Sequence, residues 1–195
     1  MFHPSEGNGA AYTEVAIQRL NLMRGGITMF PEPYRIRLFQ PEDLPRLQEV
    51  TVQTFGSVSI DRNIEEQFGA FGNGDWSVRK AAAIAEDCRL QPDGVFVVID
   101  ESALPVAFIT TRLQQASRIG WIPNMAVDAE HQAKGLGHAM LEHAIEFLRE
   151  HGMQVAKIET LEQNPIGQKL YPRLGFVPVA RQIHYAMRLD DSAGG

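Results

Sequence analysis

From Val127 to Gly137 the chain reads V-D-A-E-H-Q-A-K-G-L-G, and no other stretch narrows the choice of fold as far. It joins an apolar, strand-like run over residues 122–127 to residues 136–151, where Met140, Ala144, Phe147 and Leu148 recur at helical spacing. Strand, glycine turn and helix must therefore follow one another directly. The first amides of a helix have no intrahelical acceptor and lie at the positive end of its macrodipole, so an anion at that end is stabilised. Gly135 and Gly137 lack the Cβ atoms that would hold a phosphate away from those amides, and Gln132 and Lys134 add side-chain donors. Taken alone, the same residues are also explained by a tight turn that binds nothing.

A second block removes that ambiguity. Gly152 closes the helix as a C′ residue, residues 155–160 read as a strand, and N-P-I-G-Q-K-L-Y-P-R-L-G-F follows from Asn164 to Phe176. The combination Q-x-x-G-x-G, strand, N-x6-Y-x3-G-F resembles the GNAT superfamily of acetyl-CoA-dependent N-acetyltransferases in both order and approximate separation. The likeness is sharp over residues 121–179 and extends to element order alone over 34–117. It implies an α/β fold of the GNAT-like acyl-CoA N-acyltransferase type, a central and mostly antiparallel sheet of roughly six or seven strands flanked by about four helices. It places the domain at residues 29–190, with 1–28 as an N-terminal extension, Met29 as an alternative natural start and 191–195 as a tail.

Length and composition agree with one soluble domain around one core, since 195 residues with 44% hydrophobic and 22% charged side chains are ordinary for a globular unit. There is no run of about 18 apolar residues to span a bilayer, and the start M-F-H-P-S-E-G-N-G has neither the basic nor the apolar part of a secretory signal. A cytoplasmic protein without membrane attachment is the expectation. The net charge of −6 disfavours nucleic acid as a partner and suits a cationic amine. Cys88 is the single cysteine, which excludes an internal disulfide and a cysteine-based zinc site; in its Ala-rich helical run it reads as a small buried hydrophobe. The histidines show no paired-ligand spacing, so no metal is expected.

Along the chain, Tyr12, Val15, Ala16, Leu20 and Met23 share one face of a helix ending at Gly25-Gly26. It either covers a patch of its own chain or docks on a second subunit to make a homodimer. Residues 34–39 alternate as a half-buried strand, and a helix begins with Pro and acids at Pro41 and runs to Phe55. A short helix over 60–68 lies between loops. The next helix spans 76–90, capped by Asp75 or Ser77. Strands at 95–99, 105–115 and 119–127 form an antiparallel meander, broken near Pro123 and Asn124 because Pro123 cannot donate to a ladder. A helix from Pro165 to about Leu174 and two strands, 176–183 and 184–189, close the domain.

The remaining roles are implied by the resemblance. The strand before the glycine loop splays from its neighbour, and the main chain of Met125, Ala126 and Val127 pairs with the pantetheine arm like an added strand. The loop Gln132, Ala133, Lys134, Gly135, Leu136, Gly137 and His138 holds the pyrophosphate of acetyl-CoA. Asn164 holds the cofactor as well as capping its helix, and Tyr171 protonates the departing thiolate. A general base is harder to place, because the position that carries Glu or His in several members is Trp121 here and Pro123 follows. Glu159, twelve residues before Tyr171, is the candidate, with a solvated strand carboxylate or a water chain as the competing accounts. Phe55, Phe68 and Phe71 either line the acceptor groove or are plain core. The implied reaction is direct acetyl transfer to a primary amine of a small molecule or peptide. The alternatives are a regulatory acyl-CoA-binding domain with no catalysis, and a nucleotide phosphotransferase, which lacks its G-K-[ST] ending.

Overall fold

The computed structural model describes residues 29–189. The expected N-terminal helix and the tail lie outside them. Among the described residues there are seven strands, β1 (Arg35–Leu38), β2 (Val95–Ile99), β3 (Pro105–Thr110), β4 (Arg112–Gln114), β5 (Ile119–Ile122), β6 (Met125–Val127) and β7 (Val155–Ile158). The α-helices are α1 (Leu44–Phe55), α2 (Ile60–Phe68), α3 (Trp76–Leu90), α4 (Leu136–Glu150) and α5 (Pro165–Arg173).

Local chemistry explains most boundaries. The helix expected to begin at Pro41 opens instead as a 3-10 turn, Pro41–Asp43, before α1. There Asp43 accepts the Gln40 amide at 2.8 Å and a two-pronged Arg37 contact at 2.6 and 2.8 Å, a geometry that suits guanidinium and carboxylate. Of the two cap candidates for α3, Asp75 is the one used, accepting the Ser77 amide at 2.9 Å and the Val78 amide at 3.4 Å. Ser59 caps α2.

β1, β2, β3 and β6 form one antiparallel sheet, and β4, β5 and β7 form a second in which β5 and β7 run parallel. The two are halves of one surface, because β3 continues into β4 past Thr111 and β5 continues into β6 past Pro123-Asn124. Alternation along β2 sends Phe96 and Val98 to one face and Val95 and Val97 to the other. The first face packs on α4 through Leu136, Met140, Leu141, Ala144 and Leu148. The second packs on α1 and α3 through Leu47, Val50, Ile84 and Cys88, and burial pushes the Cys88 thiol up to about 11. On β5 a Cβ at Gly120 would lie 2.5 Å from Leu148, so α4 seats against bare backbone and Trp121 faces the α3 side.

The two closing strands do not form. Residues 177–189 join no ladder, leaving Val179, Ile183, Tyr185 and Met187 exposed. They are held by side chains, Arg181 to Glu162 at 3.5 Å and Arg188 to the Phe68 carbonyl at 2.5 Å. Alternating apolar residues define two faces, but a ladder also needs an edge in register, and Pro178 removes a donor.

His143 on α4 meets Phe96 edge-on, with ring centroids 4.5 Å apart. Burial holds its pKa down to about 4 from 6.5, so the folded protein keeps it neutral. Below pH 6.5 the unfolded chain takes up a proton that the folded chain refuses. Stability is therefore expected to fall as pH drops from 6.5 towards 4, by up to about 3 kcal/mol. Urea melts across that range should show this loss, and His143→Leu should flatten it relative to wild type.

Candidate active site

β5 and β7 pair through Ile122 and Ile158, and there the pairing stops. Beyond it β6 bonds only to β3, Ala107 facing Val127 and Ile109 facing Met125. Among the described residues the other edge of β6 has no neighbouring strand. The break expected near Pro123 and Asn124 thus becomes a wedge between two strands, with Met125, Ala126 and Val127 along one side.

At the wide end of the wedge the chain turns into α4. Asp128 caps a 3-10 turn, Ala129–His131, by accepting the Glu130 amide at 3.0 Å, and it also binds Arg46. Ala133 at φ 60° and Gly135 at φ 84° put two left-handed residues just before the helix. No side chain caps α4, and its first bond is Ala139 N–H to the Gly135 carbonyl at 3.1 Å. The amides of Leu136, Gly137 and His138 therefore precede any intrahelical acceptor, the arrangement that binds anions. A Cβ at Gly137 would touch Leu170 at 3.4 Å and Met125 at 3.9 Å, so this glycine also lets α5 and β6 close on the helix start.

The loop's side chains differ from the expected phosphate donors. Gln132 Nε2 donates to the Val127 carbonyl at 3.0 Å, spanning loop and wedge. Lys134 Nζ reaches the Tyr34 hydroxyl at 3.2 Å, and that hydroxyl bonds His131 Nδ1 at 2.9 Å. Tyr34, just before β1, thus braces the loop from outside. The His138 ring lies along the helix, 3.4 Å from Glu142, leaving its amide as the group presented at the helix start.

Opposite the loop, α5 carries the second block. Asn164 accepts the Gly167 amide at 3.2 Å as cap and donates from Nδ2 to Thr160 Oγ1 at 2.9 Å. Tyr171 is partly buried against the α4-side core. Burial raises its phenol above the ordinary value, and a hydrogen bond with the Thr160 hydroxyl opposes that rise. Gly167 makes room for this group, since a Cβ there would lie 2.9 Å from Thr160 Oγ1 and 3.1 Å from the Tyr171 ring. Thr160 and Gly167 escaped the sequence reading; their spacing from Asn164 and Tyr171 along one turn is the signal that points to them.

Glu159 stands just past β7, paired with Lys157 at 2.7 Å and half-exposed. Trp121 sits between the Arg112 guanidinium and the Lys157 ammonium, each 5.3 Å from its ring. At the position where the resemblance leads one to look for a Glu or His base, this chain presents an indole between cations. Phe55 packs on the α1–α3 core with Lys80 Nζ 4.2 Å from its ring, so it belongs to the core as well as to the surface beside the break. Phe71 is exposed beneath Arg79. An open hollow on the α2–α3 side is lined by Arg62, Glu65, Glu66, Ala70 and Trp76. Among the described residues no cluster of three or more His, Cys, Asp or Glu stands ready for a metal, and no helix is long and apolar enough to cross a membrane.

A profile of the Acetyltransferase (GNAT) family matches residues 60–176. The mycothiol acetyltransferase of Segniliparus rotundus is 27% identical over 162 residues, covering 80% of this chain and 57% of that protein. The [ribosomal protein bS18]-alanine N-acetyltransferase of Escherichia coli K12 is 42% identical over 53 residues, 27% of this chain and 36% of that one. Among solved structures, the PaiA N-acetyltransferase of Thermoplasma acidophilum in complex with coenzyme A superposes with a TM-score of 0.59, covering 74% of this chain and 89% of that one at 18% identity. At that identity the likeness is one of fold. The chain spans just over half the length of the Segniliparus protein, and the 53-residue match covers about a third of the Escherichia one.

Proposed function

Because this chain belongs to the GNAT family of acetyltransferases, we propose that it transfers an acetyl group from acetyl-CoA to the primary amine of a small molecule or peptide by direct attack. The observation that carries the reading is the open edge of β6 running straight into uncapped helix amides, with Tyr171 on α5 beside Thr160, just past β7. The Met125, Ala126 and Val127 main chain pairs with the pantetheine arm. The amides from Ala133 to His138 take the diphosphate, with Gln132 and Lys134 at the rim, and Asn164 orders the facing helix. A coenzyme A complex of the same fold in Thermoplasma acidophilum supports the choice of donor. The reading takes residues 29–190 as the catalytic unit in a cytoplasmic setting, where that donor is supplied.

The neutral amine attacks the thioester carbonyl carbon, the carbon–sulfur bond breaks, and two protons must move. Tyr171 donates one to the departing sulfur, and its raised pKa keeps the phenol protonated where a free amine persists. The attacking nitrogen loses the other to Glu159, once that carboxylate leaves Lys157, or to water. The acceptor approaches from the α2–α3 side, past Trp121.

The indole at Trp121 and the ion pair at Glu159 favour one second reading, a domain that binds acyl-CoA without using it. Incubation with acetyl-CoA and an amine library, read by free thiol, separates the two. Amine-dependent thiol release is expected. Calorimetric uptake of coenzyme A with no release for any amine would leave only the binding role, and no uptake would remove both.

A further inference from the structure

The wedge depends on where β5 stops and β6 begins, and a buried polar cluster sits at that point. Asn124 is 8% exposed and each of its hydrogen-bonding groups is engaged. Its carbonyl accepts the Thr110 amide at 2.9 Å and its own amide donates to Thr110 Oγ1 at 3.1 Å. Its side chain donates from Nδ2 to Asp87 Oδ2 at 2.6 Å and accepts from Lys80 Nζ at 2.7 Å. Asp87, 3% exposed, also accepts the Thr110 hydroxyl at 3.0 Å and an Arg112 guanidinium N–H. Lys80 and Asp87 lie two helical turns apart on α3, hence on one face. One helix therefore grips the strand break with a cation and an anion together.

Only a carboxamide answers both partners, because it donates to a carboxylate and accepts from an ammonium through adjacent atoms. A carboxylate at position 124 would face Asp87, and an apolar side chain would leave the buried Asp87 and the partly buried Lys80 without their shared partner, which is costly. Burial already pulls the Lys80 ammonium below its ordinary pKa, with Asp61 and Asp87 opposing. The cluster is thus a demanding one to keep, and it stands one residue before the open edge of β6. Pro123, which has no N–H to donate, releases the chain from the ladder immediately ahead of it.

We propose that the Asp87–Asn124–Lys80 tether is a positioning device for the acyl donor: it fixes the start of the open β6 edge, and through it the alignment of the pantetheine arm, from helix α3. This rests on the transferase reading above. It predicts that the tether matters to the arm of the ligand and not to the nucleotide end, which meets the α4 amides on the far side of the edge.

The experiment is calorimetric titration of the full chain and of Asn124→Ala with coenzyme A and with adenosine 3′,5′-bisphosphate, the latter having no pantetheine arm. Asn124→Ala should weaken coenzyme A by about tenfold or more, while the bisphosphate stays within about twofold of wild type. Equal weakening of both, or unchanged coenzyme A affinity, overturns the inference. Should Asn124→Ala not fold, Lys80→Met keeps the volume over Phe55 and should show the same selective loss; its absence there also overturns the inference. A wild type that takes up neither ligand removes the transferase reading itself. That outcome differs from a wild type that binds coenzyme A and a variant that binds it equally well.

Discussion

Gly135→Val is expected to lower coenzyme A affinity by about a hundredfold or more in a protein that remains folded. Gly135 sits at φ 84°, a conformation that costs an ordinary L-residue about 1–2 kcal/mol and a β-branched one more. Its Cβ would already touch Pro31 at 3.4 Å, before any γ-methyl is added. Valine must therefore drive the backbone towards negative φ and swing the Leu136 amide away from the cradle. The damage stays local because Gly135 itself is exposed, whereas the buried contacts of α4 begin at Leu136 and continue through Met140 and Leu141. Calorimetry with coenzyme A and a thermal melt check this together. A loss of affinity with a shift of only a few degrees is the expected pair; unchanged affinity would take the glycine loop out of the donor site.

Tyr171→Phe is expected to lower turnover by about a hundredfold or more, while coenzyme A affinity stays within about twofold. The ring packs against the core and Phe176, and phenylalanine keeps those contacts. What is lost is the hydroxyl, which bonds Thr160 and holds a proton that burial makes harder to release. An acid works only in its protonated form, so a raised phenol pKa moves the loss of activity to higher pH. Wild-type turnover should therefore rise as the acceptor amine deprotonates and hold on the alkaline side. The phenylalanine variant should stay low throughout. Single-turnover thiol release across pH measures this, and an equal fall in turnover and in coenzyme A affinity would assign Tyr171 to packing.

Both predictions concern residues that could be named before any coordinates. The glycine loop was legible because its signal is local: an apolar run, two glycines, then helical spacing, all within residues 122–148. Asn164 and Asp75 were legible as caps for the same reason, since a cap bonds amides two or three residues away. The break at Pro123 followed from a missing donor. Asn124, in contrast, reads as an ordinary loop residue beside that proline. Its importance comes from Asp87 and Lys80, 37 and 44 residues distant, and no periodicity encodes that distance. The same limit applies to Gln132, whose amide binds the Val127 carbonyl, and to Lys134, which turns to Tyr34.

The closing strands show the opposite failure. Residues 183–189 alternate as well as any strand in the protein, yet they join no strand ladder, because alternation specifies faces and not a neighbour.

What this chain's sequence settled by itself is the order of its elements as far as α5, their caps and the strand–glycine–helix joint, all governed by backbone chemistry within a few residues. Tertiary structure alone decided that β5 stays with β7 while β6 leaves it, that a helix forty residues upstream holds the parting point, and that Thr160 meets Tyr171. Those outcomes depend on which distant groups find each other in the interior, where a buried donor or acceptor must be matched.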